Sequence, residues 1–226
     1  MKLRIASLSL LALCLTLAVV PAVAQATIYS NGPINGTLDA WTINFGFVVS
    51  DTFTVPSGGA SVIGLVFGAW LEPGDVLENA DVGITSSEFG GTIYFDGLVS
   101  FTQSGCSANQ YGYNVCRETS SSFGPVQLAA GTYWVNLSNA VVNSGDPVYW
   151  DENFGGPASH AWPQSLASEN SVGTIPSESF TVLGQATTCG AGAGCEASPT
   201  VPEPSSMMLF GSGLLGLASV LRRKLF

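Results

Sequence analysis

Residues 41–55 read WTINFGFVVSDTFTV. Trp41, Ile43, Phe45, Phe47 and Val49 fall on one parity, with Thr42, Asn44, Gly46 and Ser50 against them. A period of two places the two sets on opposite faces of an extended chain, so the stretch predicts a strand with one apolar face. The alternation continues through Phe53 and Val55.

The same reading extends down the chain. Ser61 to Trp70 is apolar on both parities, with Val62 and Val66 against Ile63, Leu65 and Phe67, which predicts a strand covered on both sides. Val82 and Ile84 begin another strand, and Ile93, Phe95, Val99 and Phe101 alternate with Thr92, Asp96 and Ser100. Further strands are predicted over 123–128, 132–137, 148–153 and 179–183. Turn chemistry separates them: Pro56-Ser57-Gly58-Gly59, Glu72-Pro73-Gly74-Asp75, Ala130-Gly131 and Ser144-Gly145-Asp146-Pro147. No helical period of useful length interrupts the series. About nine short strands joined by Gly- and Pro-rich turns predict an all-β domain, a β-sandwich of jelly-roll-like type.

Charge narrows the chemistry. The chain has 16 acidic and 6 basic residues and a formal net charge of -10. All the acids except Glu203 lie between Asp39 and Glu196, and Arg117 is the sole base between Arg4 and Arg222. So acidic a body repels nucleic acid and suits cations or neutral glycans. It holds no lysine, which excludes Schiff-base chemistry and a lysine phosphate clamp.

The two ends carry sorting chemistry. Lys2 and Arg4, an apolar run from Ile5 to Val20, and Ala22-Val23-Ala24 make a signal peptide over 1–24. At the other end Pro202-Glu203-Pro204 precedes an apolar segment over 206–221 and the cluster Arg222, Arg223, Lys224. Prolines hold the chain extended, Ser205 or Ser206 then caps a helix, and the cations stay cytoplasmic. A helix of about 15 residues at ~1.5 Å each spans roughly 22 Å, short of the ~30 Å hydrocarbon layer, so it makes a marginal permanent anchor. A Gly-, Ala- and Ser-rich stalk over 187–200 separates this tail from the ectodomain, 25–186.

The order of proline motif, short apolar helix and basic cluster resembles the PEP-CTERM sorting signal. That resemblance implies an exported protein, held at the inner membrane by its C-terminal helix and then processed by an exosortase, a membrane cysteine protease. It also implies a polysaccharide-producing host and a destination at the cell surface or in the extracellular matrix. In the body, 29–55, FGAWLEPGD, LAAGTYWVNLSNAV and DPVYWDENFGG look like a secreted β-domain that recurs among PEP-CTERM proteins, to which no activity attaches.

Export agrees with the cysteines. Cys14 leaves with the signal peptide, and proximity favours Cys106–Cys116 and Cys189–Cys195 among three connectivities. A metal or redox C-x-x-C spacing is absent.

Candidate chemistry is sparse. His160 is the single histidine, and no G-x-S-x-G elbow accompanies it, so a serine triad lacks its parts and a zinc site lacks ligands. In Pro147-Val148-Tyr149-Trp150-Asp151-Glu152-Asn153, strand parity sends Asp151 and Glu152 to opposite faces and excludes them as a glycosidase pair. Asp151 and Asn153 share a face, Asp146 lies on the adjoining turn, and such oxygens suit calcium. Trp41 and Trp70 fit a core on parity, whereas Trp150 and Trp162, beside acidic or loop residues, are expected to be exposed and to stack on sugar rings. Three readings follow: a non-catalytic glycan-binding protein of surface or matrix, needing no cofactor beyond calcium; a structural matrix protein; and a secreted hydrolase on a sandwich scaffold.

Overall fold

The computed structural model describes residues 25–153, 165–188 and 196–197. The signal peptide, the sorting tail with Pro202, Glu203, Pro204, Arg222, Arg223 and Lys224, and Trp162, His160, Cys189 and Cys195 lie outside the described residues.

Two strands and a turn occupy the stretch from which the fold is read. β2 (Ala40–Thr42) and β3 (Val48–Val55) are separate, and the Phe47 N–H donates to Asn44 O at 3.1 Å between them. Phe45 and Gly46 sit at φ 57° and 90°, the left-handed region that a type I′ turn needs at both central positions. The expected continuous strand is therefore corrected. Phenylalanine on the apolar parity hides a turn that its neighbour Gly46 supplies.

β4 (Ala60–Leu71) is buried along nearly its whole length, as its two apolar parities predict. The turns at Pro56–Gly59 and Glu72–Asp75 close through N–H···O bonds of 3.0 Å each. They carry the chain from β3 into β4 and from β4 into β5 (Leu77–Ser87) without pairing these consecutive strands. β6 (Gly90–Ala108) is the longest strand, and β7 (Asn114–Ser120) returns beside it. Short β8 (Val126–Leu128) precedes β9 (Gly131–Val142), β10 (Tyr149–Asp151), β11 (Ala167–Glu169) and β12 (Gly173–Ile175). β13 (Phe180–Thr188) and β14 (Glu196–Ala197) follow, and β1 (Ala26–Ser30) opens the described chain. β13 and β14 pair within the stretch that reads as stalk, Thr187 opposite Ala197.

All these pairings are antiparallel, in the order β1-β13-β4-β7-β6-β5-β9-β3-β11-β12. β10 pairs with β2 and β4, and β8 with β4. The domain is all-β, one curled antiparallel sheet, and no helix occurs among the described residues. β6 makes the curl. Its first half, to Ser100, pairs with β5, and its second, from Phe101, pairs with β7. Its polar end Thr102–Ala108 has no apolar parity, so pattern reading stops short of it; the Cys106–Cys116 disulfide joins that end to β7, as proximity predicts.

One core lies between the two arms of the curl. Phe67, Leu71, Phe180 and Val182 meet Val49, Phe53, Val82, Ile84, Val135 and Leu137. Tyr29 of one arm lies 6.3 Å from Phe53 of the other, centroid to centroid. Such burial supplies on the order of 25 cal/mol per Å² of apolar surface, which is why parity carries fold information.

Candidate functional site

β10 holds most of the residues picked out from sequence. Trp150 is fully buried, its ring 5.6 Å from that of Phe180 and 6.0 Å from that of Phe67, and its Nε1–H donates to Ser179 O at 3.0 Å. The expectation of an exposed sugar platform at Trp150 is corrected. β10 is paired on both edges, between β2 and β4, and both its faces are covered.

Asp151 points away from Trp150, as parity predicts, but into a second covered layer. Its Oδ1 accepts the Trp70 Nε1–H (2.7 Å) and the Gly36 N–H (3.0 Å); its Oδ2 accepts the Asn35 N–H (2.9 Å) and the Ser179 hydroxyl (3.0 Å). Burial pushes its carboxyl up, and these four donors pull it back. With both oxygens occupied, Asp151 holds the 32–36 loop on the outer face of β4 and has none left for a ligand. Gly68 of β4 makes room, since a Cβ there would come within 2.8 Å of Ile34 and of Asp151.

Asn153 belongs to another network. Its Nδ2 donates to Asn31 O, to Glu178 O at 3.0 Å and to Ser177 Oγ at 3.3 Å. The trio Asp146, Asp151 and Asn153 thus does not converge on one cation, and among the described residues no three His, Cys, Asp or Glu side chains are placed to hold a metal ion.

Beside Asn153 lies a set of sealed acids that pattern reading misses. Asp51 Oδ2 accepts from the Glu178 N–H (2.8 Å) and Asn31 Nδ2 (3.2 Å), and Oδ1 from the Thr52 N–H (2.6 Å). Burial, offset in part by hydrogen bonding with Ser165, Glu178, Thr52 and Ser177, pushes Asp51 up to about 7. Among the described residues Glu178 has no partner at either oxygen, and burial, then the neighbouring Asp51, Glu152, Asp151 and Asp39 charges, raises it well above the carboxylate range. Glu118, also buried without a partner among the described residues, is pushed up to about 8 by burial. Asp51 lies on β3 and Glu118 on β7, whereas Glu178 stands at an isolated bridge just before β13. All three are closed to solvent.

Among the described ligand candidates, Asp146 alone reaches an open surface. It lines a groove of about 320 Å³ with Phe45, Asn44, Asn139, Val141 and Gly145. Phe45 is 65% exposed and Val141 43%. Three positive-φ residues meet here: Phe45, Asn139 (φ 49°) and Gly145 (φ 83°). Asparagine and glycine tolerate that region; phenylalanine does so at a cost of roughly 1–2 kcal/mol. Strain of this kind concentrates at functional sites because surrounding bonds must enforce it. Those bonds are present: Asn44 Nδ2 donates to Asp146 O (3.0 Å), and Asn44 Oδ1 accepts the Val148 N–H (3.2 Å). An exposed ring is held beside a carboxylate.

The described chain is thus an all-β domain with an open groove, and no histidine lies among its described residues. Residues 200–224 match the PEP-CTERM protein-sorting motif. The chain carries that motif at its C-terminus, which implies exosortase processing and supports an exported protein anchored at the membrane beforehand. No curated protein matches the chain.

Proposed function

We propose that the exported domain is a non-catalytic glycan-binding module of the cell surface or extracellular matrix, on a sandwich-like scaffold. The observation that supports this most is Phe45, a solvent-facing ring in a strained turn beside Asp146. A sugar presents C–H groups on one face and hydroxyls around its rim. Phe45 suits the first by stacking and the Asp146 carboxylate accepts from the second. Asp151 and Asn153 contribute through the scaffold, with no calcium required. A neutral sugar fits a surface so rich in acids.

The test is a neutral-glycan array probed with the detergent-solubilised full chain, with and without chelator. Single sites of this type bind near ~1 mM to 1 µM. We expect Phe45→Ala to weaken the best ligand about tenfold, or ~1.4 kcal/mol, and chelator to change nothing. Loss of binding on chelation would restore calcium as cofactor. A folded parent that binds no glycan would leave the structural matrix role as the better account.

A further inference from the structure

A second groove, sharing no lining residue with that of Phe45, has a different chemistry. It encloses about 510 Å³, within the ~300–1,000 Å³ of small-molecule sites. One wall is the 32–36 loop that Asp151 anchors through the Asn35 and Gly36 N–H groups. Another is the β6–β7 hairpin, closed by the Cys106–Cys116 disulfide. Both walls are therefore fixed in advance of any ligand.

Arg117 lies in this groove. Its chain neighbours Cys116 and Glu118 are fully buried, so Arg117 projects to the outer face. Across the strands it lies opposite Gly68, over which Ile34 of the 32–36 loop packs, and opposite Ser104. It is the one base between Arg4 and Arg222, in a body that holds all but one of 16 acids. Yet among the described residues its guanidinium has no ion-pair, hydrogen-bond or ring partner; only at the backbone does Arg117 O accept from the Ser104 hydroxyl. An unpaired cation in a groove of an acidic domain is placed for a ligand rather than for the fold.

The lining defines the ligand. A guanidinium matches a planar carboxylate through two parallel N–H···O bonds. Ser30, Ser107, Thr181 and Asn35 offer groups for hydroxyls, and Ile34 and Val115 an apolar face for C–H groups. One cation balances one negative charge, while the surrounding acids repel a dense polyanion. We propose that this groove binds a carboxylate-bearing sugar, a uronate set among neutral residues of a glycan, with Arg117 as its carboxylate receptor.

The experiment is calorimetric titration of the detergent-solubilised full chain with three probes: an aldobiouronic acid carrying one uronate and one neutral sugar, its methyl ester, and inorganic phosphate. The acid should bind at least about tenfold more tightly than the ester, the range expected of a charge-assisted bidentate contact. Arg117→Gln, at an exposed position, should abolish that preference with the thermal midpoint unchanged, and Arg117→Lys should recover part of it. Phe45→Ala should leave it intact, so the result stands apart from that of the neutral-glycan site. Equal binding of acid and ester, no binding of either, or indifference to Arg117→Gln would overturn the assignment. Phosphate binding as tight as that of the acid would also overturn it, marking a plain anion site.

Discussion

At Phe45 the chain accepts a conformation that its side chain disfavours, and the turn is then held by Asn44. The Phe45-Gly46 pair fills the two positive-φ positions where Asn-Gly is preferred. Phe45→Asn should therefore stabilise the domain by roughly 0.5–1 kcal/mol while removing the ring from the groove. Denaturant unfolding checks this, read together with the glycan titration. A destabilised variant would mean that the phenyl ring, though 65% exposed, packs to the benefit of the fold. The turn was illegible in sequence because an aromatic on the correct parity is the signature of a strand.

Asp151 works among elements rather than alone: it ties β10 to β4 through Trp70, to Ser179, and to the 32–36 loop. Asp151→Ala would strand four donors, each having lost a charge-assisted partner. The expected loss is about 3–5 kcal/mol, the range for leaving buried polar groups unpaired. Asp151→Asn keeps two acceptors at most and should fall between. Hydrogen exchange should show faster opening at the Asn35 and Gly36 amides, and uronate binding should weaken with it. Unchanged protection at those amides would show that the loop rests on Gly68 packing alone.

Across the domain, Asp51, Glu118 and Glu178 each retain a proton that the unfolded chain would release. A carboxyl with its folded value raised stabilises the fold fully below its unfolded value, and that contribution falls as pH rises towards the folded value. Between about pH 4.5 and 8 the folded state binds more protons than the unfolded one, so stability should decline through this window. Calorimetric melting should give a midpoint at pH 5 at least ~5 °C above that at pH 8. Glu118→Gln, which cannot ionise, should flatten the upper part of the slope. A midpoint that rises from pH 5 to pH 8 would mean that these acids are ionised and paired in the fold.

Local order made some of this legible in advance. The strands over Val48–Val55 and Ser61–Trp70, the Gly/Pro turns, the Cys106–Cys116 pairing and the sorting motif at 200–224 all depend on neighbours within a few residues. Extended geometry alternates faces whatever lies beyond it, and a short cysteine loop closes easily. Parity set Asp151 and Glu152 on opposite faces of a strand. What it could not say was that both faces of β10 are covered, because the covering groups come from Asn35, Gly36 and Phe180, far along the chain. Burial is a property of three-dimensional neighbours, and so are the sealed acids and the grooves at Phe45 and Arg117. Sequence supplied most of the strands and the sorting motif; the curl of one sheet through β6 placed the buried carboxylates and the grooves at Phe45 and Arg117.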